Sequence, residues 1–208
     1  MDSVINFVCE NINFEGKQTR EVIIYSILSV LVWGLFPHLQ YKYKIISKFF
    51  NNNMEKGADF LALLLIHIGT FRNYAFTETI FNNKRFDFGD LNIISSIVGL
   101  SILLFGSLLW ITSLLKLGLR GSYFGDHFGF LFKKRIQSFP FNILENPQYT
   151  GSKLFLLGQS ILFRSLTGLF MTITISLFYS FLFFVFEKKN LKKIYNKIHH
   201  NNKIITQN

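Results

Sequence analysis

The stretch 117–151 reads LGLRGSYFGDHFGFLFKKRIQSFPFNILENPQYTG, and its reading decides how the rest of the chain is arranged. It lies between two apolar runs long enough to cross a bilayer. Gly118, Gly121, Gly125 and Gly129 recur at three- or four-residue spacing. A helix through them would carry a stripe bare of side chains, open to another backbone or a flat ligand. Asp126, His127, Glu145 and Asn146 stand among aromatics, and the FP and NP dipeptides interrupt any helix. Polar, glycine-rich backbone survives at membrane depth only where protein or a cavity satisfies it. Lys133, Lys134 and Arg135 are too costly for mid-membrane and belong at a surface.

The composition agrees with a membrane setting. Of 208 residues 50% are hydrophobic, and 26 are Phe. Apolar segments fall at about 22–36, 58–76, 91–117 and 152–186. We therefore expect an all-α integral membrane protein. It has three to four transmembrane helices, a membrane-embedded or re-entrant N-terminal helix that meets Pro37, and a Gly-rich amphipathic connection. A single domain spans 1–187, and 188–208 forms a basic polar tail. The formal charge is +10, but the cations sit between and after the apolar runs and form no groove interleaved with aromatics. That pattern excludes nucleic acid and favours anionic lipid headgroups as partners. The lone Cys9 forms no internal disulfide, the five histidines are scattered, and no metal cluster is expected. Acids ahead of the first apolar run argue against a cleavable signal peptide.

Within the segments, Gly99 and Gly106 are seven apart and share one helix face. His67, in an apolar middle, is expected to face the bundle and bond a neighbouring helix. Arg72 is expected to reach the interface. The lysine-rich tail reads as cytoplasmic. If segments two, three and four each cross once, the 116–151 connection lies on the opposite side from that tail, although it is basic too.

FPFNILENPQYTGS, preceded by LGLRGSYFGDHFG, resembles the signature of the phospholipid N-methyltransferase family, as does FRNYAFTETI after 70. The resemblance implies methylation of the amino headgroup of phosphatidylethanolamine, or its mono- and dimethyl forms, toward phosphatidylcholine. It also implies S-adenosylmethionine as methyl donor, a phospholipid substrate in the bilayer, and the endoplasmic reticulum membrane or mitochondrial membranes as location. The family's Gly-x-Gly contact maps to Leu104-Phe105-Gly106, where only Gly106 matches. Its Glu-Glu pair maps to Phe186-Glu187, where only Glu187 matches. Leu104 and Phe186 depart from the pattern, adding bulk and removing a charge.

NPQYTG also resembles the wider group that includes isoprenylcysteine carboxyl methyltransferases, which implies Asn146, Pro147, Tyr149 and Gly151 as further cofactor contacts. The chemistry needs aligned reactants and an unprotonated amine. Asp126, His127 and Glu145 are the candidate bases, and the choice among them stays open. Tyr123, Phe139 and Phe141 are candidates to cradle an ammonium. Lys133, Lys134 and Arg135 are candidates to hold a lipid phosphate. The alternative readings are a prenylcysteine carboxyl methyltransferase or a non-catalytic lipid-binding protein.

Overall fold

A computed structural model describes residues 16–132, 134 and 136–195. Helix α1 (Lys17–Val30) runs through a π turn (Leu31–Leu35) into α2 (Phe36–Tyr43), and α3 (Ile45–Phe49) follows. Then come α4 (Met54–Asn82) and α5 (Leu91–Ser122), a 3-10 turn (Gly125–Phe128), α6 (Pro147–Leu162) and α7 (Leu166–Leu182). A second π turn (Phe183–Glu187) carries α7 onward, so that the helical path is continuous to Tyr195, the last described residue. Helicity therefore passes beyond 187, where the tail was expected to begin. Among the described residues the extended structure is one isolated bridge, Arg85 to Ser165.

Among the described residues, four helical stretches are long and apolar enough to cross a membrane: Lys17–Tyr43, Met54–Asn82, Leu91–Phe128 and Leu166–Tyr195. The first is longer than its apolar run of about 15 residues implied. Pro37 does not end it, because the proline sits beside the π turn, where the helix has already given up its regular hydrogen-bond ladder.

The apolar segment 152–186 is two antiparallel helices. Arg164 adopts a left-handed φ of 52° between them, and Ser165 caps α7 through the Gly168 N–H at 3.0 Å. Arg164 donates through Nε to the Phe86 carbonyl at 3.0 Å, and the Phe86 N–H donates to the Arg164 carbonyl at 3.0 Å. This ties the hairpin to the 82–90 loop. Helix α6 then returns alongside α5. A Cβ on Gly99 would lie 2.4 Å from the Leu162 nitrogen, one on Gly158 2.4 Å from the Leu103 nitrogen, and one on Gly106 2.8 Å from the Gly151 carbonyl. These glycines let two backbones touch along the whole length of α6.

The extra helix corrects the expected topology. With α4, α5, α6 and α7 running alternately, the 117–146 connection and the residues after α7 lie at the same end of the bundle. The 82–90 loop and the Arg164 hairpin lie at the other. We expect cysteines placed at Gln137 and Lys192, in a Cys9→Ser background, to react with an impermeant maleimide from one side of sealed membranes. One at Lys84 should react only from the other side. Labelling of all three from one side would refute this arrangement.

The seam itself makes a stability prediction. Alanine returns about 1 kcal/mol of helix propensity relative to glycine. Forcing a methyl into packed backbone costs about 1–3 kcal/mol, which is the larger effect. Gly158→Ala should therefore lower the unfolding midpoint in detergent. Gly69→Ala, whose Cβ would meet only Trp33 at 3.7 Å, should hold or raise it. Equal midpoints would show that the seam is looser than described.

Two expectations fail on burial. His67 is exposed on the outer face of α4, with its ring 4.6 Å from that of Phe71, and bonds no neighbouring helix among the described residues. Arg72 is turned inward and is only 4% exposed.

Candidate functional site: a polar cavity at one end of the bundle

At Gly118 the backbone takes φ 66°, ψ 178°, a conformation that a Cβ disfavours, and the straight helix ends there. The expected glycine stripe consequently does not form. Gly125 lets the chain close on itself, since a Cβ there would lie 2.6 Å from the Arg120 carbonyl oxygen. Gly129, at φ 94°, ends the 3-10 turn. Beyond the kink, Arg120 grips Asp59 of α4 with two bonds, at 2.7 and 2.9 Å. The rest of the connection thus folds back over the ends of α4, α6 and α7.

This leaves a cavity of about 780 Å³, within the range of about 300–1,000 Å³ typical of small-molecule sites. Its acids are Asp126, Glu145 and Glu187, its cations Arg72, Lys134 and Lys188, and aromatic rings form much of the wall. Each acid has its own partner. Asp126 Oδ1 accepts the His127 backbone N–H at 3.0 Å and lies 2.8 Å from His127 Nδ1. Glu187 Oε2 accepts the Tyr149 hydroxyl at 2.7 Å. Glu145 pairs with Lys188 at 3.2 Å on the exposed rim. Tyr149 in turn packs on Tyr179 and Phe183, with centroids 5.2 and 6.1 Å away.

Of the three candidate bases, Asp126 and Glu145 line the cavity and His127 does not. The His127 side chain is fully buried behind Asp126, edge-on to Tyr41 and Phe124, and its Nε2 has no hydrogen-bond partner among the described residues. Among the residues implied for cofactor contact, Asn146, Tyr149 and Glu187 line the cavity. Asn146 also caps α6 through the Tyr149 N–H at 3.4 Å, and the buried Pro147 opens the helix at its first turn.

Gly106 and Gly151 instead face each other in the α5–α6 seam. Leu104 and Phe105 lie on the outer face of α5, 58% and 48% exposed. Phe186 turns away from the cavity toward Gly34, His38 and Phe181. The structure therefore brings Glu187 to the site but not the Leu104-Phe105-Gly106 run. Tyr123 and Phe141 line the cavity, whereas Phe139 does not. Lys134 lies on its rim, and Lys133 and Arg135 lie outside the described residues. Among the described residues, no group of three or more His, Cys, Asp or Glu is placed to hold a metal ion.

Sequence reasoning missed Arg72, Trp110, Gln148 and Tyr179 as cavity residues. Arg72 had a signal: an ionisable residue inside an apolar span is functional by default. Tyr179 had none, being one aromatic among many in α7.

Fold and cavity together define an integral membrane protein that offers a charged, aromatic-walled chamber at one end of a helical bundle. The phospholipid methyltransferase family model matches residues 94–198, and the chain belongs to that family. Similar proteins include phosphatidylethanolamine N-methyltransferase A of Dictyostelium discoideum, 29% identical over 92% of this chain and 89% of that protein. Phosphatidyl-N-methylethanolamine N-methyltransferase of Schizosaccharomyces pombe is 32% identical over 88% and 92%. Human phosphatidylethanolamine N-methyltransferase is 32% identical over 76% and 78%. No solved structure matches the chain.

Proposed function

We propose that the protein methylates the amino headgroup of phosphatidylethanolamine, its mono- and dimethyl derivatives, or both, using S-adenosylmethionine, on the path to phosphatidylcholine. The observation that carries this reading is the cavity that gathers Asp126, Glu187 and Tyr149 between aromatic walls at one membrane face.

The residues present fit the donor. Glu187 and Tyr149 offer an acceptor and a hydroxyl for ribose or amino groups, and rings of Tyr149, Tyr179 and Phe183 supply flat, electron-rich surface for an adenine or a cationic centre. When bound, S-adenosylmethionine supplies the electrophilic methyl group. The protein's own work is to align the acceptor nitrogen and to receive its proton. Asp126 is the group we assign to the proton. Both of its hydrogen bonds use Oδ1, which leaves Oδ2 for the amine, and His127 holds the carboxylate from behind. Tyr123 and Phe141 fit an ammonium that gains methyl groups.

Orientation follows from charge. Among the described residues the cavity end carries Lys42, Lys44, Lys48, Lys56, Lys116, Arg120, Lys134, Lys188, Lys189, Lys192 and Lys193, whereas the other end carries Lys17, Arg20, Lys84, Arg85 and Arg164. The positive-inside rule then turns the cavity toward the cytoplasm, where a water-soluble donor enters. We place the enzyme in the endoplasmic reticulum membrane.

The test is expression in cells lacking all phospholipid methylation, with labelled methyl groups followed into lipid. Ethanolamine, monomethylethanolamine or dimethylethanolamine is supplied in turn. Label in phosphatidylcholine from all three precursors marks a complete three-step enzyme, and label only from methylated precursors restricts it to later steps. Membrane-inserted protein that labels no lipid under any supply overturns the proposal and directs the same assay to prenylated cysteine.

A further inference from the structure

The deepest charged group in the cavity is Arg72, about 27 Å along α4 from Met54 and about 15 Å from Asn82. It is 4% exposed. One Nη donates to the Tyr179 hydroxyl and the other to Asn73 Oδ1 at 2.9 Å, while Nε has no hydrogen-bond partner among the described residues. The remaining hydrogens of the guanidinium fork are therefore unbonded. Among the described residues no carboxylate lies within ion-pair distance of it. Each acid of the cavity is engaged elsewhere: Asp126 with His127, Glu187 with Tyr149, Glu145 with Lys188. Burying a guanidinium in a membrane bundle with neutral partners only is costly. Elsewhere in this protein, in contrast, Arg120 is matched bidentately by Asp59. The missing counter-charge is what a ligand would bring, because a planar fork with free N–H groups suits a carboxylate or phosphate oxyanion.

We propose that Arg72 is an oxyanion-binding residue at the floor of the cavity. It holds the anionic group of a reactant, either the carboxylate of the methyl donor or the phosphodiester of the lipid. Tyr179 and Asn73 hold the fork in place and leave its other hydrogens pointing to the ligand. This rests on the methyltransferase reading above.

The experiment uses the full-length protein in detergent–lipid micelles. Binding of S-adenosylhomocysteine and the apparent KM for phosphatidylethanolamine are compared in wild type, Arg72→Gln and Arg72→Lys. Loss of a charged hydrogen-bond partner should weaken the affected constant by at least about tenfold in Arg72→Gln. Arg72→Lys should lie between it and wild type. Weaker S-adenosylhomocysteine binding with an unchanged lipid KM assigns the carboxylate, and the reverse assigns the phosphodiester.

A measurement on wild type alone guards against a variant that does not fold. S-adenosylhomocysteine is set against its analogue lacking the carboxylate, and the phospholipid against an amine-headed lipid lacking the phosphate. One of the two truncated ligands should bind at least about tenfold more weakly than its parent. If neither does, or if folded Arg72→Gln keeps both constants, the proposal is overturned and Arg72 is a structural brace for Tyr179. A wild-type protein that transfers no methyl group to any lipid would instead defeat the functional reading, and the binding comparison would still be readable.

Discussion

Asp126→Asn is expected to lower kcat for lipid methylation by about 10²–10⁴-fold, the range lost with a positioned general base. Asparagine keeps the size of the side chain and can still accept the His127 backbone N–H that Asp126 receives at 3.0 Å. It cannot take a proton from the headgroup ammonium. Binding of S-adenosylhomocysteine should stay within a few-fold of wild type, which separates a lost base from a lost fold. His127→Gln should cost less, since His127 acts on the amine only through Asp126, which it meets at 2.8 Å. A loss smaller than about tenfold in Asp126→Asn would transfer the role to desolvation of the amine alone.

Glu187→Gln is expected to weaken donor binding by about 10–150-fold, the worth of a hydrogen bond to a charged group. The same substitution should not destabilise the protein. It removes a charge from a partly buried position within the continuous helical path of α7 and leaves an oxygen to accept the Tyr149 hydroxyl, which now lies 2.7 Å away. Lower affinity with an unchanged or higher unfolding midpoint is therefore the expected pair of results, read by titration calorimetry and thermal denaturation. Tyr149→Phe should give a smaller loss, because it deletes a hydroxyl and keeps the ring that packs on Tyr179. Unchanged S-adenosylhomocysteine affinity in Glu187→Gln would remove Glu187 from the donor site.

Much of the architecture was legible from residue order. Long apolar runs must be helical in a bilayer, because no water is available to satisfy an open backbone. The glycines at 99 and 106 were legible as sharing one helix face, and the structure turns that face to Gly158 and Gly151. Asp126, Asn146, Tyr149 and Glu187 were identified from their residue types and from motif resemblance. All four reach one cavity. Hydrophobicity could not show that 152–186 is two helices. Arg164 looks like a single interruption, and only its left-handed backbone and its bonds to the 82–90 loop turn the chain round. That turn moves residues 188–195 to the cavity's side and removes the charge conflict of the one-crossing reading.

The sequence by itself determined the class of fold, the family and the inventory of reactive groups, because these follow from local composition and from ordered motifs. Tertiary packing alone decided which groups meet. Leu104 and Phe105 point outward because Gly106 must turn its bare face to Gly151. Arg72 points inward because the cavity wall, through Tyr179 and Asn73, gives its charge polar partners that the lipid does not. Side-chain direction around a helix is set by the neighbours it packs against, and those neighbours lie far away in the chain.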